Sequence, residues 1–254
     1  MKKILITAGP TNEYIDEVMK ITNMSTGRLG LELTKRFIDN GDLVTLIGTR
    51  SIFRSGLYEQ YQLAHQKKLK SIPIETTEDM FIALETEAKN EYDLVIHSAA
   101  VGDYKPEFTF KMEDLAKELV EAIAEGKISE EKILDILTNP LCKVNDNTKI
   151  SSYEQHLTVK LTLTPKLISH LREWYPTATL VGFKLLESVP KEELLEVAQK
   201  LCKKNHMDYI IANDLADLRQ GQHISYLVNK DGYQNIEFHS PDDIYVKTKS
   251  MITK

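Results

Sequence analysis

The stretch Ile21-Thr22-Asn23-Met24-Ser25-Thr26-Gly27-Arg28-Leu29-Gly30 decides the reading of the fold. Ser25 and Thr26 are good helix N-caps, and Leu29, Leu33 and Phe37 follow at helical spacing. Gly41 fits the C′ position that closes such a helix. Upstream, Lys3–Ala8 is a short apolar run stopped by Gly9-Pro10-Thr11, and Asn12–Thr22 reads as a polar loop. Downstream, Leu43–Gly48 is continuously apolar, as suits a strand buried on both faces. Strand, helix and strand therefore all precede Arg50 and make a βαβ unit. A helix start presents unpaired N–H groups and partial positive charge, so Ser25, Thr26, Gly27 and Arg28 form a candidate phosphate site. In that reading Gly27 leaves room for the anion and Arg28 adds a charge. Asn23, just ahead, can both donate and accept hydrogen bonds.

The rest of the chain continues the alternation. Leu69–Ile74, Tyr92–His97, Thr179–Phe183 and Tyr209–Ala212 read as strands. Thr77 is expected to cap a helix over 78–89, Thr164-Pro165 to open one through Trp174, and Pro190 one to about Asn205. Lys111–Thr148 is charged with helical spacing, an excursion inserted at about 106–150, and Leu157–Leu163 alternates as a one-face strand. Ile224–Val228 and Tyr233–Phe238 flank Lys230-Asp231-Gly232 as a hairpin, and Ser240-Pro241 opens the last helix. The expected fold is α/β: a Rossmann-like, mainly parallel sheet flanked by helices, with a late antiparallel hairpin, forming one domain over 1–254. Ligands of such sheets bind beyond the carboxyl ends of strands, which gathers Gly9-Pro10-Thr11, Ala99–Asp103, Phe183-Lys184 and Asn213-Asp214 along one edge.

Composition narrows the class. With 254 residues, 42% of them hydrophobic, the chain can bury a full core without disulfides or metal. A net charge of −6 argues against a nucleic-acid surface. Cys142 and Cys202 lie far apart without metal spacing and read as reduced thiols. The apolar run after Met1 ends at Thr7, too short for a signal peptide, and no stretch approaches the about 18 apolar residues of a membrane span. A cytoplasmic protein with no membrane or nucleic-acid partner is the expectation.

A dinucleotide enzyme is the alternative to weigh. The contiguous G-x-G-x-x-G is missing after the first strand, and Thr49-Arg50 stands where an acidic residue would bind ribose, which fits NADP at best. Tyr226 and Lys230 have the Tyr-x-x-x-Lys spacing but fall in a strand and turn rather than on one helix face. An NADP-dependent reductase and a non-catalytic nucleotide-binding regulator both stay open at this point. No Walker, zincin, paired-cysteine or G-x-S-x-G motif occurs, and the seven histidines are scattered without partners at metal spacing.

Six motifs in order carry a resemblance. Ile6–Thr11 with Asp16 and Ile21–Gly30 comes first, then Ser98–Tyr104, Lys149–Ser152, Thr164–Ile168, Val181–Phe183 and Ile211–Asp214. Together they resemble phosphopantothenate–cysteine ligase, in its stand-alone bacterial form, over nearly the whole chain. The resemblance implies a ligase of coenzyme A synthesis. Phosphopantothenate and CTP (ATP possible), with Mg²⁺, would give an acyl-cytidylate and pyrophosphate; cysteine would then attack and release CMP. Activation makes physical sense, because a bare carboxylate would have to expel oxide.

Roles follow by position, as what the resemblance implies. Asn23 matches the catalytic asparagine and would donate to the oxyanion formed when cysteine attacks. Lys149 matches a flap lysine beside the triphosphate, where one charge at ~4 Å is worth roughly 4 kcal/mol at intermediate dielectric. Ala99 and Asp103 match nucleotide contacts, Asp103 accepting from ribose or base or reaching Mg²⁺ through water, with no protein-held metal site expected. Pro165, Lys166, Leu167 and Ile168 would offer helix-start N–H groups to the nucleotide, and Phe183 an apolar wall. Lys200 and Lys204, one helical turn apart, would meet phosphates. Ala100 joins Asn23 on the substrate side, with Lys20 where the family has an arginine, so the bidentate phosphate fork is lost. The excursion resembles the family's flap and dimerisation region, which implies a homodimer.

Overall fold

The computed structural model describes residues 1–54, 56–126, 129–144, 150, 153 and 155–253. In chain order its elements begin with β1 (Lys3–Ala8), β2 (Asn12–Tyr14), β3 (Lys20–Thr22), α1 (Arg28–Asp39), β4 (Leu43–Thr49), α2 (Arg50–Phe53), α3 (Gly56–Ala64), β5 (Leu69–Ile74), α4 (Thr77–Glu87) and β6 (Leu94–His97). There follow β7 (Tyr104–Lys111), α5 (Met112–Ala124), α6 (Glu130–Thr138), β8 (Lys143–Val144), β9 (Leu157–Leu163), a 3₁₀ turn (Leu167–Ser169) and α7 (Leu171–Trp174). The chain closes with β10 (Thr179–Leu186), α8 (Lys191–Lys204), β11 (Tyr209–Asp214), α9 (Leu215–Arg219), β12 (Ser225–Asn229), β13 (Gly232–Phe238) and α10 (Pro241–Met251).

One compact unit comprises 1–11, 23–101 and 165–254. Its sheet runs in the order β13-β12-β11-β10-β6-β1-β4-β5. The strands from β11 to β5 are parallel, and β12 and β13 add the antiparallel hairpin at one edge. The expected α/β class and the late hairpin are thus what the chain forms. Side chains alternate between two cores, as the pleat requires. Leu5, Ile47 and Val95 join Met80 and Leu84 of α4 and Leu194 and Ala198 of α8 on one face. Ile4, Ile6, Leu46 and Ile96 join Leu33 and Phe37 of α1 and Ile244 of α10 on the other. The chain moves outward from β1 to β4 and β5, then returns to β6 on β1's other side. The strand order therefore reverses between β1 and β6, and in open α/β sheets the ligand crevice lies at the carboxyl ends of such a pair.

Helix α1 ends as expected. Gly41, at φ +91°, donates to Ile38 O at 2.9 Å, and Asp42 N donates to Phe37 O at 3.0 Å, which is a Schellman closure. Its start differs from the expectation. The N-cap is Gly27 in the left-handed region, with no side-chain cap. Ser25 Oγ and Thr26 Oγ1 instead accept from the N–H groups of Gly27 and Arg28 in the turn ahead of the helix. The expected cap at Thr77 is held one residue earlier, by Thr76 in a capping box with Asp79. Thr164-Pro165 opens no long helix; the segment makes the one 3₁₀ turn and then α7. Thr164 is engaged elsewhere, its hydroxyl donating to Gly102 O and its N–H to Asp103 O.

The second unit comprises 12–22 and 102–164. Asn12–Thr22, read as a loop, is the hairpin β2–β3, with Tyr14 paired to Lys20. The excursion is not simply helical. β7 pairs antiparallel with both β8 and β9, and Phe108 and Phe110 pack with Leu115 of α5 and Ile136 of α6 in a small core. Pro106 and the charges Lys105, Glu107 and Lys111 around the two phenylalanines concealed the strand period. β9 does not bury one clean face, since Leu161 and Leu163 stay exposed.

Candidate active site

The carboxyl ends of β1 and β6 are tied together by a ladder of short bonds. Ser98 Oγ donates to Thr7 O at 2.6 Å, and Ala99 N donates to Thr7 Oγ1 at 3.2 Å. Ala100 N donates to Gly9 O at 2.9 Å, and Thr11 N donates back to Ala100 O at 3.3 Å. Loops off parallel strands lack a ladder of their own, and these bonds supply one. Asn23 completes it: its Nδ2 donates to Ala100 O at 3.0 Å and to Val101 O at 3.2 Å. Two carbonyl acceptors fix which way the amide points. The structure thus brings Asn23, Ala99 and Ala100 together. Both hydrogens of the Asn23 amide are engaged here, so donation to an oxyanion requires one of these bonds to be exchanged.

Three glycines shape the same corner. Gly9 follows β1 at φ +83°, Gly27 caps α1 at φ +70°, and Gly30 lies in its first turn. A Cβ on Gly30 would stand 2.5 Å from Ala8 Cβ, so the helix crosses β1 at the closest possible range. A Cβ on Gly27 would stand 3.0 Å from Gly9 N. The reading of Gly27 as room for a phosphate is therefore corrected: its bare Cα lets two backbone segments meet. Two glycine roles of a dinucleotide fingerprint, the tight turn after the first strand and close helix–strand packing, recur in Gly9 and Gly30, split by the β2–β3 hairpin, which is why no contiguous motif was legible. Arg28 extends into solvent and pairs with Glu32 at 2.6 Å.

The other expected residues are more widely spread. Leu167 is buried in the core, and Ile168 packs over Gly182. Ser169 N donates to Lys166 O at 3.0 Å. With only a single 3₁₀ turn here, the helix-start reading of Pro165–Ile168 does not hold. Phe183 is half-buried against the core on the α1 side of the sheet. Lys200 and Lys204 are set apart. Helix α8 begins after the carboxyl end of β10 and runs back to the start of β11, so its last turns lie at the opposite edge of the sheet. A helix of 14 residues spans about 21 Å, and Lys200 pairs with Glu196 at 2.6 Å in solvent. Lys20, on β3, and Asp103 belong to the second unit. Lys149 lies outside the described residues.

Two residues gained a place that sequence reasoning did not give them. Asp16, in the second unit, accepts from Val18 N at 2.7 Å, Met19 N at 2.6 Å and Ile150 N at 3.0 Å. His97, counted among scattered histidines, is buried at the end of β6, with Nδ1 2.9 Å from Thr7 Oγ1. Burial pushes its pKa from 6.5 down to about 4, so the ring is neutral at pH 7. No single-residue signal marks either; their partners lie up to 134 positions away. Among the described residues no group of three or more His, Cys, Asp or Glu is placed to hold a metal ion, and no helix is long and apolar enough to cross a membrane.

Comparison with known proteins agrees with this architecture. The family described as the DNA/pantothenate metabolism flavoprotein C-terminal domain matches residues 1–139 and 141–244. A coenzyme A biosynthesis bifunctional protein CoaBC of Thermococcus kodakarensis is 31% identical over 231 residues, which is 91% of this chain and 45% of that protein. The chain thus spans about half the length of the curated relatives it matches. The solved DNA/pantothenate metabolism flavoprotein from Streptococcus pneumoniae is 32% identical, covers 99% of this chain and 98% of its own, and superposes with a TM-score of 0.77. The fold is shared by the solved C-terminal domain of a CoaBC protein, at 23% identity, a TM-score of 0.63 and coverage of 99% of this chain and 93% of its own. By the extent of these matches, the chain belongs to the family of the DNA/pantothenate metabolism flavoprotein C-terminal domain.

Proposed function

We propose that this chain is a phosphopantothenate–cysteine ligase, joining the carboxylate of 4′-phosphopantothenate to the amine of cysteine through an acyl-cytidylate. The observation that carries the reading is the Asn23 amide docked on Ala100 and Val101 at the switch between β1 and β6. An amide-forming site gains from a donor held beside a rigid backbone, because a single exchanged hydrogen bond is then the only rearrangement as charge develops. The Thr7-tethered loop supplies the rigidity, and Asn23 supplies the donor once it exchanges a carbonyl for the oxyanion. A solved structure of the same fold, at 17% identity, is a Cab2 variant in complex with phosphopantothenate-cysteine.

In this reading the substrate carboxylate first attacks the α-phosphorus of CTP and pyrophosphate leaves. The cysteine amine then adds to the acyl carbon, loses a proton, and expels CMP. Mg²⁺ would arrive with the nucleotide, held mainly by its phosphates and by water. Lys20 and Asp103 would serve phosphate and ribose, and Lys149 the triphosphate. The assembly is a homodimer; Val120, Ile123, Leu134, Leu137 and Leu141, exposed in the second unit, are the apolar surface that such pairing would cover.

The test is reconstitution with phosphopantothenate, CTP, Mg²⁺ and cysteine. Phosphopantothenoylcysteine, pyrophosphate and CMP are expected in equal amounts, and omission of cysteine leaves only acyl-cytidylate and pyrophosphate. Replacing CTP with ATP reads the nucleotide preference. No product and no pyrophosphate with any nucleotide overturns the proposal, and sedimentation of a monomer at assay concentration overturns the dimer.

A further inference from the structure

The neutral histidine at the end of β6 is not used by the mechanism above. Thr7 Oγ1 accepts the N–H of Ala99, and its own proton then has one acceptor within reach among the described residues, Nδ1 of His97. Thr7 is fully buried, so leaving its proton unpaired would be costly, and only Nδ1 as the acceptor satisfies that proton together with the bond from Ala99. The ring proton is therefore on Nε2. Nε2 has no hydrogen-bond partner among the described residues and is not fully enclosed, so it keeps a solvent-accessible edge. A buried donor without a partner is costly, and the residue is 8% exposed.

The surroundings say what it faces. His97 lies in register with Thr7 on one side and Gly182 on the other. Paired residues share a face of the sheet, and on that face a Cβ on Gly182 would stand 2.9 Å from Ile210 Cδ1, 3.2 Å from Ile168 Cδ1 and 3.3 Å from Met207 Cε. His97 is thus flanked by a hydroxyl already engaged, a glycine and an aliphatic chain, with the tethered Ser98–Val101 loop continuing from its own backbone. Among the described residues nothing ionic is bonded to it. A single uncharged N–H in such a setting suits an uncharged acceptor such as a ring carbonyl or ring nitrogen. It suits phosphate less, because phosphate calls for charged or multiple donors.

We propose that His97 is a nucleotide-binding residue of this site, presenting Nε2–H to an acceptor atom of the base. The proposal rests on the ligase reading only for the identity of the nucleotide. It makes His97 a determinant of base choice, while Thr7 sets its tautomer.

Two substitutions separate this role from a purely structural one. Asparagine at this position reproduces Nδ1 and keeps the Thr7 contact but lacks the outer nitrogen. Glutamine reaches the place of Nε2 but cannot hold Thr7 in the same way. Direct binding of CTP by calorimetry to wild type, His97→Asn and His97→Gln is measured beside thermal unfolding. The expected result is a 10- to 100-fold weaker Kd for His97→Asn, with near wild-type affinity for His97→Gln. The ratio of CTP to UTP binding should fall in the asparagine variant only. Equal affinity of His97→Asn and wild type, or loss confined to His97→Gln, overturns the proposal and makes His97 a support for Thr7. Long-range ¹⁵N correlation of the imidazole gives a second readout; a proton on Nδ1 also overturns it. Failure of the ligase reading is distinct: wild type would then bind no nucleotide, or bind it and make no product.

Discussion

A Cβ placed on Gly27 would stand 2.5 Å from Cδ1 of Ile52, the side chain that also closes on Gly9. The corner where β1 meets α1 is therefore sealed by one isoleucine from the short helix after β4. Gly27→Ala adds a left-handed φ of +70° that a Cβ resists by about 1–2 kcal/mol, and an overlap costing about 1–3 kcal/mol more. The expected loss is about 2–5 kcal/mol by denaturant unfolding. Pairing it with Ile52→Val should recover the overlap part but not the backbone part. Strict additivity of the two would show that Ile52 does not limit the site.

Asn23→Asp puts a carboxylate oxygen where the amide donates to two carbonyls. Repulsion then loosens the loop that carries Ala99 and Ala100. Because Asn23 is exposed, stability should change by less than about 1 kcal/mol. Amide formation should fall by at least about 100-fold, the scale set by loss of one preorganised donor. Asn23→Ala should let acyl-cytidylate accumulate, visible by mass spectrometry. Unchanged turnover in both variants would reduce Asn23 to a loop tie.

His97 links stability to pH. The unfolded chain takes up this proton near 6.5, but the folded ring only near 4. Its neutral burial is therefore fully compatible with folding above pH 6.5 and opposes it increasingly as pH falls towards 4. The slope from this group is about 1.4 kcal/mol per pH unit in that window, about 3 kcal/mol in all. Denaturant midpoints of wild type and His97→Asn should converge or cross between pH 7 and pH 4. Parallel curves would mean that the ring titrates normally.

Asp16 holds three backbone N–H groups of the second unit with one carboxylate. Asp16→Ala removes that acceptor from all three. Water can replace it for the exposed Val18 and Met19, whereas Ile150 is buried and its donor would be left at a cost of about 1–3 kcal/mol. Hydrogen exchange should accelerate most at the Ile150 amide, and little in α1. Uniform acceleration would indicate global loosening instead.

Thr34 carries the one side-chain oxygen among the described residues that is fully buried with no partner. Thr34→Val keeps the shape and removes the unsatisfied hydroxyl. Stability should rise by about 0.5–2 kcal/mol, read as a higher Tm. A fall would reveal a hydrogen bond to an ordered water.

The parallel strands were legible because their apolar runs are local and lie between turn residues, and Gly41 fixed the end of α1 within two positions. The β2–β3 hairpin and β7 were not. The strands of the hairpin are only three residues long, too short to show a period, and β7 is interrupted and held by pairing with chain far away, as between Tyr104 and Leu163. Of the candidate site, the closeness of Gly9–Thr11 to Ala99 and Ala100 followed from the rule that loops gather beyond strand ends, whereas Asn23 was placed beside Ala100 only by the resemblance. Lys200 and Lys204 were read from spacing alone, which gives the face of a helix but not its direction across the sheet.

The sequence by itself determined the α/β class, the order of most strands and helices, and which strand ends meet, because hydrophobic period and turn chemistry are properties of a few adjacent residues. Only the tertiary structure decided that Gly9 and Gly27 touch, that α8 carries its lysines away from the crevice, and that Thr7 turns a buried His97 into a neutral donor. These depend on register and burial, which arise between residues as much as 90 positions apart and leave no mark on either one alone.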